Sequence, residues 1–301
     1  MPGGVRTLDR MPSLLPLYGR AGLAAVPGTG LLGRLPLVPG PRGRELPPEG
    51  LSVAGVATDA SALAAYCRAC GLTLRNEIPA TWPHVLSFPL QMALMSAGSF
   101  PFPLIGLVHL DNEIVQRRRV GLGERLDLEV RATGLRPHPK GRAFSLLVRA
   151  RVGGEDVWEE RGTILHRGAG DPGAEPEAGP DPPGDDVPDS AEWRLPGDLG
   201  RRYAAVSGDR NPIHLHPLTA RALGFPRPIA HGMWTKARAL AQLEGRIPSA
   251  FRVAVSFRRP VLLPGTVRFA ASARGRDLAF AVRGSGRERP LHLAGELSPP
   301  A

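Results

Sequence analysis

The chain has 301 residues, 42% of them hydrophobic, which is enough to bury a sizeable core and more than one ordinary domain needs. Its formal charge of +10 comes almost wholly from arginine, because Lys140 and Lys236 are the only lysines. The arginines are scattered through apolar segments with few aromatics to stack on bases, which argues against nucleic acid as a partner, and no run approaches the ~20 apolar residues of a membrane span.

Residues 1–50 form a Gly/Pro-rich extension. Within it, Gly28-Thr29-Gly30-Leu31-Leu32-Gly33 matches G-x-G-x-x-G, a pattern that binds a dinucleotide only between a strand and a helix. Pro27 before it and Pro36 and Pro39 after it exclude that helix, so no nucleotide site is expected. Pro27 and three glycines after Gly22 break up the longest charge-free N-terminal stretch, Ala21 to Gly33, which also lies too far into the chain for a signal peptide. A cytoplasmic protein is therefore expected.

A helix is predicted over Asp59 to Cys70. It carries Cys67 and Cys70 as a Cys-x-x-Cys pair with no second ligand pair and no βαβ context, so both read as small apolar residues rather than a metal or redox site. A second helical stretch near Pro89 to Ala97 precedes four strand candidates: Gly106 to Val115, Leu126 to Thr133, Ala143 to Val152 and Asp156 to Leu165.

Between Gly168 and Ser190 lie seven acidic residues, six prolines and no basic residue. With so little apolar surface to bury, this segment is expected to be a mobile linker. Its charge of −7 leaves the remainder more basic than the total suggests, which favours an anionic ligand. Beyond it comes a helix over Ile229 to Leu243, then strands at Arg252 to Phe257, Val267 to Ala273, Leu278 to Arg283 and Leu291 to Leu297. The repeated order of helix then meander suggests a duplicated α+β unit. The expected division is 1–50 extension, 51–167 first unit, 168–190 linker and 191–301 second unit.

The chemistry-bearing string is Tyr203-Ala-Ala-Val-Ser-Gly-Asp-Arg-Asn-Pro-Ile-His214. On a continuous helix, Asp209 and His214 would point about 140° apart. Gly208, which tolerates unusual backbone angles, and Asn211-Pro212, where the proline forces its predecessor out of the helical region, supply a turn instead. A carboxylate and an imidazole folded together can share a water molecule, the arrangement of acid/base catalysis. Taken alone, the pair reads rather as a helix cap or Asx-turn at Asp209 with a surface histidine at His214, and only the whole string tips the balance toward chemistry.

The full string Tyr203-x-x-Val206-Ser207-Gly208-Asp209-x-Asn211-Pro212-Ile213-His214, with Ala220 after five intervening residues, resembles the signature of the MaoC-like (R)-specific enoyl-CoA hydratases. Gly224 to Met233 and Ser256 to Gly265 are similar to the segments that surround that family's central helix, so the resemblance covers about residues 198–298. The first half, through Trp82 to Leu90 and Phe100 to Pro103, looks like the N-terminal half of double-hotdog acyl dehydratases, without the Gly-Asp-x-Asn-Pro-x-His string.

The resemblance implies a double hotdog in one chain, each antiparallel sheet wrapped around a central helix, with a degenerate first half completing a pseudo-dimer and shaping the acyl channel. It implies hydration of trans-2-enoyl thioesters and dehydration of (3R)-hydroxyacyl thioesters, with no cofactor and no metal. Asp209 and His214 would activate one water and Gly232 N–H would receive the thioester oxygen, although tight helix–sheet packing explains that glycine equally well. Asn211 and Ser207 would fix the turn, and His231 would orient it. The substrate would be an acyl-CoA or an acyl-carrier-protein thioester, and a homodimer of the chain is possible. A non-catalytic thioester-binding hotdog and a hotdog thioesterase are the rivals.

Overall fold

The computed structural model describes residues 4–18, 43–104 and 106–300, so the glycine pattern at 28–33 lies outside the described residues. The first half runs β1 (Val5–Thr7), β2 (Gly50–Val56), α1 (Ala60–Cys70), α2 (Trp82–Met95), β3 (Leu107–Gln116), β4 (Leu126–His138), β5 (Gly141–Val152) and β6 (Glu155–Arg167). The second runs β7 (Ala191–Leu195), α3 (Leu199–Ser207), a 3₁₀ turn (Pro212–His214), α4 (Pro217–Ala222), α5 (Gly232–Leu243), β8 (Phe251–Phe257), β9 (Gly265–Arg274), β10 (Asp277–Gly284) and β11 (Leu291–Ser298).

All strands join one sheet in the order β1-β2-β4-β5-β6-β3-β8-β11-β10-β9-β7. Leaving out β1, the order is a palindrome: each half places its first strand outermost and its second at the seam. There β3 pairs antiparallel with β8, Ile114 opposite Val253. This is an α+β double hotdog whose two sheets fuse edge to edge. Because each seam strand covers the other's edge, neither exposes an unpaired ladder. The central helices α2 and α5 are buried against the sheet, and a single large apolar cluster runs through both halves.

The duplication is also legible in side chains. Tyr66 and Tyr203 are both buried, their ring centroids 6.2 Å apart, and each stands five residues before a left-handed glycine ending its helix, Gly71 at φ 72° and Gly208 at φ 77°. Glycine adopts this conformation without the Cβ clash that penalises other residues.

Three expectations change. Helix α2 begins at Trp82, not near Pro89, because Pro83 falls in its first turn, where a missing N–H costs nothing; Pro89 lies inside the helix rather than at its start. The helix predicted from Ile229 begins at Gly232, after an isolated bridge between Ile229 and Leu262. The acidic segment has no helix or strand, yet it is tied down. Glu177 pairs with Arg161 and Arg136, Asp185 with Arg283, and Asp189 with Arg268 and Arg289. Arg274 donates to the carbonyls of Asp181 and Pro182. A Cβ on Gly179 would meet Ser256 Oγ, so this strap crosses the outer face of the seam. What fixes it is the arginine surplus of the strands beneath, which hydropathy does not register.

Candidate active site

Local sequence builds the turn between α3 and α4. Ser207, Asp209 and Asn211 each accept a hydrogen bond from the backbone N–H two residues ahead: Asp209 N–H to Ser207 Oγ at 3.2 Å, Asn211 N–H to Asp209 Oδ1 at 3.0 Å and Ile213 N–H to Asn211 Oδ1 at 3.4 Å. Three consecutive side-chain turns of this kind consume the N–H groups that a helix would have used. Asp209 thus makes the Asx-turn with Oδ1, while its Oδ2 faces His231 Nε2 at 3.8 Å and accepts no hydrogen bond among the described residues. Ala220 is fully buried in a small satellite core with Ile213, Phe225 and Ile229, which holds the far side of the loop.

His214 is buried, and its Nδ1 lies 2.7 Å from the Ile229 carbonyl oxygen. A carbonyl only accepts, so Nδ1 carries the proton and Nε2 the lone pair. His231, at the N-cap of α5, stacks on His214 with centroids 3.6 Å apart and planes 24° apart, and its Nε2 donates to the Asp209 carbonyl at 3.0 Å. One side-chain donor atom from each of Asp209, His214 and His231 lies within 4.8 Å of the others. That span suits one water at about 2.8 Å from both a carboxylate oxygen and an imidazole nitrogen. It suits a metal less well, because stacked rings point their in-plane lone pairs side by side and both imidazoles already bond carbonyls.

Burial raises the cost of charge on all three groups. It holds His214 below the ordinary histidine range and takes His231 down to about 3, the neighbouring His214 adding to the effect and Asp209 opposing it. Burial pushes the Asp209 carboxyl upward, but the His231 and His214 imidazoles and the Asn211 N–H pull it down and prevail. The resting site at neutral pH is an ionised carboxylate beside two neutral imidazoles. Asp209 is deep yet keeps 30% of its side-chain surface open, so the carboxylate lies at the base of an opening.

Gly232 starts α5, partly exposed, and no side chain caps that helix's first turn. A Cβ there would come 3.0 Å from the Phe257 ring, so close packing also favours glycine. Two buried atoms beside Asp209 and His214, Tyr203 Oη and His231 Nδ1, have no hydrogen-bond partner among the described residues; the Tyr203 ring lies 4.8 Å from that of His231. The first half lacks this chemistry. After Gly71 the chain continues Leu72-Thr73-Leu74-Arg75, and Tyr66 donates to Thr81 Oγ1 at 2.8 Å, next to the N-terminus of α2, the place His231 holds beside α5.

The site has a wall from the first half that the sequence reading missed. Phe88 on α2 lies 3.7 Å from where a Gly208 Cβ would stand. His84, one turn earlier, bonds Glu160 at 2.8 Å, and Glu160 accepts from Asn112 Nδ2 at 2.5 Å. Asn112 Oδ1 accepts from Lys236 at 2.5 Å, which forces the amide orientation, since lysine only donates and a carboxylate only accepts. Lys236, wholly buried, sits one turn beyond Gly232 and completes its bonds with the carbonyls of Asn112 and Val253. Beside His214's segment a cleft of about 310 Å³ opens between the halves, lined by Ile213, Phe225, Val108, His166 and Arg167.

Residues 182–287 match the family model described as MaoC like domain. The chain is 40% identical over 238 residues to 3-hydroxyacyl-thioester dehydratase X of Mycobacterium tuberculosis, covering 78% of this chain and 83% of that one. The crystal structure of HtdX from the same organism superposes with a TM-score of 0.74 at 34% identity, covering 83% of this chain and 99% of that one. A further Mycobacterium tuberculosis protein, described as a double hotdog, shares the fold at a TM-score of 0.52 and 15% identity, covering 82% and 93% of the two chains.

Proposed function

The chain belongs to the MaoC-like dehydratase family, and from that premise we propose that it removes water from (3R)-hydroxyacyl thioesters and adds it to trans-2-enoyl thioesters at Asp209 and His214. It is a hydro-lyase, and its substrates are hydroxyacyl thioesters of fatty-acid metabolism. Among the described residues no helix is long and apolar enough to cross a membrane.

The observation that carries the residue assignment is the pairing of an ionised Asp209 with a His214 whose Nε2 is forced to be an acceptor. A water between two acceptors donates both its hydrogens, leaving its oxygen lone pairs aimed outward at C3 of the enoyl group. As the C3–O bond forms, one O–H proton passes to the dyad, and a proton is returned at C2, so hydroxyl and hydrogen add across the double bond. Negative charge moves onto the thioester oxygen in between. The Gly232 N–H at the uncapped start of α5 serves that oxygen, reinforced by the positive end of the helix. Ser207 and Asn211 hold the turn, and His231, neutral and tied to the Asp209 carbonyl, keeps His214 in plane.

The first unit, residues 51–167, acts as the non-catalytic partner, supplying the wall at Phe88 and His84. The basic surface suits the phosphates of CoA or the acidic face of an acyl carrier protein alike. The test is an absorbance assay at the enoyl-thioester band with CoA esters of rising chain length, with the products identified. Interconversion of enoyl and 3-hydroxyacyl thioesters with the thioester intact supports the reading. Release of free thiol would assign a thioesterase instead, and binding without turnover a non-catalytic protein.

A further inference from the structure

Residues 4–18 form an arm along the first half that ends on the catalytic turn. Strand β1 pairs in parallel with β2, Val5 opposite Gly50, and Leu8 N–H bonds Ser52 O at 2.8 Å. Leu17 is buried, and a Leu14 methyl carbon lies 2.5 Å from the position of a Gly208 Cβ, so the arm packs closely over this glycine. The arm thus delivers Tyr18. Its hydroxyl donates to the Gly208 carbonyl at 2.9 Å and accepts from the Arg210 N–H at 2.8 Å.

Those two groups belong to the peptides on either side of the Asp209 Cα. Helix α3 has ended at Ser207 and Gly208 has turned into the left-handed region, so the Gly208 carbonyl is outside the helical ladder. Arg210 N–H is likewise skipped by the run of side-chain turns, which serves residues 209, 211 and 213. One hydroxyl satisfies both groups and so fixes the two peptide planes that set the direction of the Asp209 side chain. Burial, and then the negative charge of Asp209, push the Tyr18 hydroxyl well above the usual tyrosine range, which keeps it protonated and able to donate.

We propose that Tyr18 is a positioning residue for the Asp209 carboxylate, its hydroxyl locking the peptide groups that flank it. The inference rests on the reading of Asp209 as catalytic and extends it to the N-terminal arm. It makes the arm part of the active-site machinery, acting through Asp209 and not on the substrate.

The experiment is a cycle in the full chain with Tyr18→Phe, Asp209→Asn and the double variant. Hydration is assayed at high enzyme concentration so that the Asp209→Asn residue of activity is measurable. Tyr18→Phe keeps the ring and removes only the hydroxyl. The expected loss in kcat is about tenfold, the effect of one neutral hydrogen bond, with KM within about twofold. In the Asp209→Asn background the same change should have no further effect, because the group it positions is no longer a base. A merely structural role would give the same loss in both backgrounds, and that result overturns the proposal. So does unchanged kcat in a folded Tyr18→Phe protein, or a change confined to KM, which would place Tyr18 on the substrate. If Asp209→Asn itself turned over like the wild type, the reading of Asp209 would fail and the proposal with it. A dead Asp209→Asn beside a fully active Tyr18→Phe would sink the proposal alone.

Discussion

The proposed mechanism requires that Asp209 and His214 act on one water, and a double-mutant cycle tests it. Asp209→Asn preserves the acceptor for Asn211 N–H, at 3.0 Å from Oδ1, so the turn should survive with a stability change below about 1 kcal/mol. His214→Ala is harsher, since it strands the Ile229 carbonyl that Nδ1 bonds at 2.7 Å and removes the ring on which His231 stacks. About 1–3 kcal/mol of stability should be lost with that unpaired carbonyl, so the assays belong well below the melting temperature. General acid/base groups contribute about 10²–10⁴-fold, or roughly 3–5 kcal/mol of barrier. With the donor atoms within 4.8 Å, removing either group should release the shared water, so the double variant should lose about as much as the worse single one. Rates are read from enoyl-thioester absorbance, with circular dichroism to verify folding. Losses that multiply would give the two residues separate tasks, and wild-type turnover in either folded single variant would refute the dyad.

Because burial holds the folded His214 below its ordinary 6.5 and Asp209 must stay ionised, the acid limb of kcat/KM for hydration should have its midpoint below pH 6.5; a midpoint at or above 6.5 contradicts the proton assignment. Burial also lowers Lys236 to about 7, so above that pH the folded state holds fewer protons than the unfolded one and stability should rise from pH 7 to 9 by about 2 kcal/mol more than in Lys236→Met, as read from denaturant midpoints. Equal slopes in the two proteins would mean that the lysine is not titrating there. Replacing Gly170 to Pro188 with a Gly/Ser segment of equal length should leave turnover nearly unchanged but lower Tm by a few degrees at low salt, since several partly exposed ion pairs are worth about 0–1 kcal/mol each and are screened. An unchanged Tm would return the strap to the status of a free linker.

The strands were legible because alternation survives in them, and the proposed dyad because nine specified residues sit within a dozen positions. The boundaries of α2 were not, since proline reads as a breaker although Pro83 occupies the helix's first turn and Pro89 is tolerated within it. The strap's fixation was hidden for another reason. Lack of apolar residues argues for mobility only if nothing charged lies beneath, and the arginines that bind it come from β4, β6, β9 and β10 and from the loop before β11. Tyr18 carried no readable signal, for its partners stand 190 and 192 residues away and it lies in a Gly/Pro-rich extension without a motif around it.

One available signal went unread, and it bears on why the chain keeps two hotdogs for one dyad. Tyr66 and Tyr203, each five residues before a helix-ending glycine, mark corresponding points of a duplicated unit. Following both copies onward, the second has Asp209 and His214 where the first has Leu72 and Glu77, and His231 beside its central helix where the first has Thr81. At this point the first copy pairs its tyrosine, Tyr66 bonding Thr81, whereas Tyr203 Oη has no hydrogen-bond partner among the described residues. That contrast follows from the chemistry, because a site that must hold water and substrate leaves polar atoms unspent, and a copy relieved of chemistry can pair them. The relieved copy still constrains the active one. Its Asn112 and Glu160 take the hydrogen bonds of Lys236 and His84, spanning the seam from α2 to the helix that begins at Gly232. Cutting that chain at Lys236 removes the partner of Asn112 Oδ1 at the seam, so in the proposed mechanism the position of the Gly232 N–H depends on the half of the protein without the Gly-Asp-x-Asn-Pro-x-His string.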